Sequence, residues 1–171
     1  KSLEATKISE IVARAGVAQG TFYLYFPSKT SLVIALAEEM NADTMAALQE
    51  AIAQANSLAD AIARGVRASF QVMDRYRDVL GLIHSRDVLT DMKEECIEMD
   101  KPFHGFVSAM IRQGQETGEV SASVNSDLAA QLIVGLIEHA GEACYVRQAH
   151  TLTEDYISEV ARFIQSALGI S

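Results

Sequence analysis

The chain holds two cysteines, two prolines and no tryptophan, and aromatic residues make up only 6% of it. Cys96 and Cys144 stand far apart and in no CxxC pair, which excludes a disulfide scaffold or a dithiol redox motif and suits ordinary thiols in a reducing compartment. No apolar run approaches the roughly 20 residues that a helix needs to cross a bilayer. No signal peptide is visible either, so a cytoplasmic protein without a membrane partner is expected. Valine- and threonine-rich alternation is missing, and with so little proline long helices meet few interruptions. The expected fold class is all-α.

What is present is most informative from Thr6 to Lys29, TKISEIVARAGVAQGTFYLYFPSK. Ile8, Ile11, Val12 and Ala15 share one helical face, with Thr6 placed to cap the start and Gly16 to end it. Val17 can then point inward, and a second helix from about Ala18 to Tyr25 can anchor itself through Phe22 and Phe26 at i, i+4. That leaves Gln19, Gly20, Thr21, Tyr23, Leu24 and Tyr25 on its other faces. Glutamine pairs bidentately with adenine and tyrosine hydroxyls hold phosphates, so these residue types fit contact with a duplex. Pro27 stops the helix and Ser28 can cap the next one. Lys29 falls in that helix's first turn, where the dipole disfavours a cation, and a bound phosphate would repair the mismatch. The plainer reading is a compact three-helix unit with an ordinary turn.

The segment resembles the DNA-binding region of TetR-family transcriptional repressors. The pattern there is roughly T-x-x-x-I-A-x-x-A-G-V-S-x-G-T-[LF]-Y-x-[YH]-F-x-[SN]-K, matched here by Ile11, Ala15, Gly16, Val17, Gly20, Thr21, Phe22, Tyr23, Tyr25, Phe26, Ser28 and Lys29. Two positions depart from it. Val12 stands where alanine is frequent, and Ala18 replaces a common serine that would cap the recognition helix, a loss of about 0.5 to 2 kcal/mol. The resemblance also implies a helix ahead of the motif, and KSLEAT stands about where it would end. The natural N-terminus is therefore expected to be missing, and the head to be loose.

The net charge of −9 argues at first against a nucleic-acid partner. Residues 1–30 hold four basic groups (Lys1, Lys7, Arg14, Lys29) against two acidic ones (Glu4, Glu10), a local +2 that leaves −11 for residues 31–171. The acid belongs to the body, which orients the head toward DNA.

Beyond Lys29 the periodicity predicts helix after helix. Leu32, Val33, Leu36, Met40, Leu48 and Ile52 mark a long connecting helix, and Ser57 with Asp60 opens one carrying Leu58, Ile62, Val66, Phe70 and Met73. A short helix covers Val79 to His84. An acidic stretch from Arg86 to Asp100 precedes a helix begun by Pro102, with Phe103, Phe106, Val107, Met110 and Ile111 inward, and ended by Gly118. After a serine-rich link with Asn125, Ser126 starts a helix bearing Leu128, Leu132, Ile133, Leu136, Ile137 and Ala140. The last helix carries Ile157, Val160, Ala161, Ile164 and Leu168. The division read from this is a helix-turn-helix head at residues 1–40 and a helical effector-binding and dimerisation domain at 41–171.

The apolar arc on the penultimate helix is wide, and Gly135 and Gly141 permit close approach. Pairing the last two helices with their copies through Leu132, Ile133, Leu136, Ile137, Ala140, Val160 and Ile164 gives a four-helix bundle about a twofold axis. Core helices of a monomer are the other reading, and the resemblance favours the dimer. A twofold homodimer sets two recognition helices ~34 to 36 Å apart on one face of a double-stranded, palindromic DNA operator.

The resemblance further implies a small-molecule effector that alters the separation of the heads. Candidate pocket walls are Phe70, Met73, His84, Phe103, Phe106, Met110, His139 and Tyr145, a lining that suits a lipophilic compound. Enzyme signatures are weak. Glu138, His139 and Glu142 have helical spacing without forming HExxH, and His104 reads as a surface partner of Asp100. No metal, cofactor or catalytic residue is expected. The leading expectation is a ligand-responsive homodimeric repressor; the alternative is a helical ligand-binding or protein-interaction module that does not bind DNA.

Overall fold

The computed structural model describes residues 3, 5–83, 93–147 and 153–170, the side chains of 93–97 excepted. Eight helices run through them: α1 (Ile8–Ala15), α2 (Gln19–Tyr25), α3 (Lys29–Ala53), α4 (Leu58–Arg75), α5 (Arg77–Ile83), α6 (Lys93–Thr117), α7 (Ser126–Tyr145) and α8 (Glu154–Leu168). There is no strand among the described residues.

Most helix ends follow side-chain chemistry. Gly16 closes α1 in the left-handed region at φ 69°, where a Cβ would be strained. Ser28 accepts the Ser31 amide at 3.0 Å, and its own amide donates to the Ser31 hydroxyl, so α3 begins with a reciprocal cap. Ser57, Asn125 and Thr153 cap α4, α7 and α8, each side chain accepting the amide three residues on.

Three local expectations are corrected. The residue flanking α1 is Lys7 rather than Thr6, its amide held by the Glu10 carboxylate at 3.1 Å. Val17 and Ala15 face outward, Val17 with 45% of its surface exposed, because α1 and α2 bury only Val12 and Phe22. Pro102 does not start a helix but lies inside α6, which costs the helix one backbone hydrogen bond. Packing of that helix against α7 outweighs the local penalty.

The body's core gathers Ile62, Val66 and Phe70 of α4, Val107 and Ile111 of α6, Ile133 and Val134 of α7, and Ile157, Val160 and Ile164 of α8. Phe70 is fully buried, and its ring meets that of Tyr156 edge-on at 6.1 Å. A second cluster centres on Val33, against which Leu3, Ile34, Leu82, Ile83 and Met99 pack. It joins the base of the head to α5 and α6. Helix α3 is continuous through position 40, so that position lies inside a single helix.

Candidate nucleic-acid interface and internal cavity

Phe22 roots α2 in the head, and its ring lies 5.5 Å from Tyr23 and 5.6 Å from Phe26. The rest of the helix is turned outward: Leu24 is 82% exposed, Tyr25 74% and Tyr23 52%. Gln19 and Gly20 are exposed as well, and Thr21 is half-buried. A Cβ added at Gly20 would meet nothing within 4 Å, so packing inside the chain does not require glycine there. Close approach of another molecule's backbone would. Three large side chains on a seven-residue helix thus show most of their surface to water, although the Tyr23 and Tyr25 rings also touch Phe22 and Phe26.

Lys29 is placed differently from the phosphate-facing expectation. Its half-buried ammonium donates to the carbonyls of Leu3 at 2.6 Å and Thr6 at 2.8 Å, tying the segment ahead of α1 to the start of α3. That is a structural latch inside the head. The dipole mismatch is met by backbone carbonyls.

Below the head, α3, α4, α5, α6, α7 and α8 enclose a cavity of about 290 Å³. Met73, Phe103, Phe106 and Met110 line it, as the spacing predicts. Three other predicted wall residues do not. Phe70 is buried in the core against the Tyr156 ring, Tyr145 donates its hydroxyl to the Phe70 carbonyl at 3.1 Å, and His139 is exposed beside Arg147 at 3.1 Å. His84 lies outside the described residues. Sequence reasoning missed the wall supplied by α3, which includes Met40, Asn41, Thr44, Leu48 and Ile52. A helix read as a connector is also half of the pocket.

It missed two carboxylates too. Asp100 of α6, half-buried, and Glu138 of α7, exposed, both line the cavity, and each carboxyl acts on the other. Burial, with the neighbouring Asp100 charge, pushes the Glu138 carboxyl up to about 7. Burial also raises Asp100, against the opposing charge of His104. The signal was readable: Asp100 stands three residues before Phe103, and Glu138 follows Val134 at i+4, each on its helix's cavity face. The Glu138, His139, Glu142 run is thereby divided, with Glu138 turned to Asp100 and Glu142 lying 3.7 Å from Arg147. Cys144 is buried, and burial pushes its thiol up, away from the reactive thiolate.

The predicted pairing face needs correction. Ile133, Ala140, Val160 and Ile164 are buried in the protomer's own core, and Ile137 lines the cavity. The outward apolar residues of the last two helices are Leu128 (54% exposed), Leu132 (67%) and Phe163 (63%), with Leu136 half-buried. Leu128, Leu132 and Gly135 follow one another at helical spacing, and a Cβ at Gly135 would meet open space.

The pattern of bacterial regulatory proteins of the tetR family matches residues 1–36, and that of the tetracyclin repressor-like C-terminal domain matches residues 62–168. The chain belongs to the TetR family of transcriptional regulators. It is not an enzyme. An uncharacterized HTH-type transcriptional regulator of Bacillus subtilis, YvdT, is 28% identical over 170 residues, covering 99% of this chain and 88% of that protein. The fatty acid metabolism regulator protein of the same organism is 24% identical over 135 residues, covering 78% and 70%. Among solved structures, the fatty acid degradation regulator FadR from Bacillus halodurans superposes with a TM-score of 0.81 at 20% identity, over 95% of this chain and 85% of that one. FadR from Bacillus subtilis, solved in complex with stearoyl-CoA, gives 0.79 at 20% identity, over 95% and 88%. The match over residues 1–36 spans α1 and α2, which form the family's helix-turn-helix head. No described helix is long and apolar enough to cross a membrane.

Proposed function

We propose that this regulator is a homodimeric repressor that grips a palindromic operator through α2 and lets go when a small lipophilic effector fills the cavity. The carrying observation is that α3 belongs to both parts: it starts at the recognition unit with Lys29 and Val33 and lines the cavity from Ala37 to Ile52. Ile83 and Met99 touch Val33 on one side and the cavity on the other. An occupant that displaces these side chains therefore bears on the rod that carries the head, and it shifts the balance between two head separations by its differential affinity for them.

In this reading Gln19, Gly20, Thr21, Tyr23, Leu24 and Tyr25 meet the major groove and its flanking phosphates. Leu128, Leu132, Leu136 and Phe163 form the twofold interface, since large apolar side chains grouped on the two terminal helices call for cover. The stearoyl-CoA held by the B. subtilis FadR structure supports a long apolar effector. The protein acts in the cytoplasm, where the chromosome and a metabolite meet.

Selection from random duplex DNA with the dimer tests this. The expected product is an inverted repeat with half-site centres about 34 to 36 Å apart on the helix axis, bound with a steep salt dependence. Failure to enrich any sequence would leave the non-DNA-binding ligand module as the better reading.

A further inference from the structure

We propose that the cavity takes a lipophilic amine or quaternary ammonium compound, with its cationic head seated on Asp100 and Glu138 and its hydrocarbon among the aromatic and aliphatic walls. The inference rests on the reading of this cavity as the effector site and names the class of effector. Its foundation is the cavity of about 290 Å³ and the polarity of what faces it. Among the described lining residues the charged side chains are Asp100, Glu138 and Glu142, and none is lysine, arginine or histidine. Glu142 is answered at the rim by Arg147, 3.7 Å away. Asp100 and Glu138 stand on the packed helices α6 and α7, both on the cavity wall, and each carboxyl acts on the other.

The neutral polar groups point the same way. The Ser69 hydroxyl, on a residue only 4% exposed, donates to the Gly65 carbonyl at 3.0 Å, and the Thr44 hydroxyl donates to the Met40 carbonyl at 2.8 Å. Each oxygen keeps only its acceptor capacity. Of the described side chains on the wall, the Asn41 amide alone retains N–H donors without a recorded acceptor. The cavity is thus rich in acceptors, poor in donors and negative. A carboxylate beside an apolar, acceptor-rich wall gains from a ligand cation and loses from a ligand anion. Each carboxyl is pushed toward its neutral form in the fold, and a ligand cation beside the pair favours the charged form. The head group is therefore opposite in sign to the stearoyl-CoA of the B. subtilis FadR complex, although the apolar tail is shared.

The test uses the full chain and four probes of equal tail length, each below its micelle concentration: decylamine, 1-decanol, decanoate and decanoyl-CoA. Calorimetry is expected to show decylamine binding about tenfold or more tighter than 1-decanol, the increment of a charge-assisted hydrogen bond, with decanoate and decanoyl-CoA weaker still. The double variant D100N/E138Q should lose the preference for amine over alcohol and keep its affinity for the alcohol. If the double variant fails to fold, as judged by urea unfolding, the single variants E138Q and D100N should each reduce the preference. Decanoate or decanoyl-CoA binding as well as the amine, absence of amine binding, or an amine preference unchanged in the variants would overturn the proposal. Duplex binding by the unliganded protein is measured in parallel. If the amine binds as described while no DNA sequence is enriched, the regulator reading fails and the effector class stands.

Discussion

The head and the body of this molecule are built on opposite principles. The two short helices of the head bury Val12 and Phe22 and leave Tyr23, Leu24 and Tyr25 in water. The body buries a cluster of twelve large side chains and keeps a hollow beside them. A surface made to touch a partner can be written in a short local pattern, whereas a hollow is made by six helices and belongs to none of them. Stability and recognition are correspondingly separated.

The separation can be broken most forcefully at Phe70. Phe70→Ala should destabilise the body by about 3 to 5 kcal/mol in urea unfolding, since the ring is wholly enclosed. Phe22→Ala should abolish operator binding while shifting the main unfolding transition far less. Equal shifts from the two variants would mean that head and body fold as one unit. Next in size is the pairing face. Leu132→Glu with Phe163→Glu should yield monomers in sedimentation experiments with helicity preserved, whereas Ile164→Glu should unfold the protomer, because Ile164 is only 2% exposed.

Within the head, Gln19→Ala or Tyr23→Ala should cost about 1 to 3 kcal/mol of operator affinity and relax base preference at one position of each half-site. Lys29→Ala has a different expected signature. Because its ammonium holds the Leu3 and Thr6 carbonyls, the variant should speed amide exchange around α1 while leaving the salt slope of DNA binding unchanged. A slope reduced by about one would restore a phosphate contact to Lys29.

The smallest effect is on the cavity's own titration. Glu138 is raised from 4.5 to about 7 in the fold, so the folded state holds an extra proton between those values and stability falls as pH rises through that window. Glu138→Gln should flatten the slope of unfolding free energy between about pH 4.5 and 7. A stability that instead rises with pH there, and does so identically in the variant, would show that Glu138 is not held neutral by the fold.

The legibility of each feature follows the distance over which it is encoded. Gly16, Pro27 and Ser28 act on their own turns, so the recognition unit and the start of α3 could be read directly. Cap chemistry at Ser57 marked α4 equally well. Pro102 misled because a local penalty was overruled by packing on α7. Ile133 and Leu132 are adjacent apolar residues in one helix, yet one enters the protomer core and the other faces water; only the tertiary placement of α7 tells them apart. The Asp100 and Glu138 pair was hidden for a related reason, since each carboxylate is ordinary until the two helices bring them together.

The central claim, that the cavity and the recognition helix communicate through α3, is most directly tested by filling the hollow with protein. Ile137→Trp adds volume to the cavity wall opposite α3 without touching α1, α2 or the outward apolar face. Operator affinity of this variant should fall by about tenfold or more, the size of a typical coupling free energy, with the dimer and its unfolding transition intact. An affinity equal to that of the parent protein, with the tryptophan shown by its quenched or shifted fluorescence to occupy the cavity, would contradict the account.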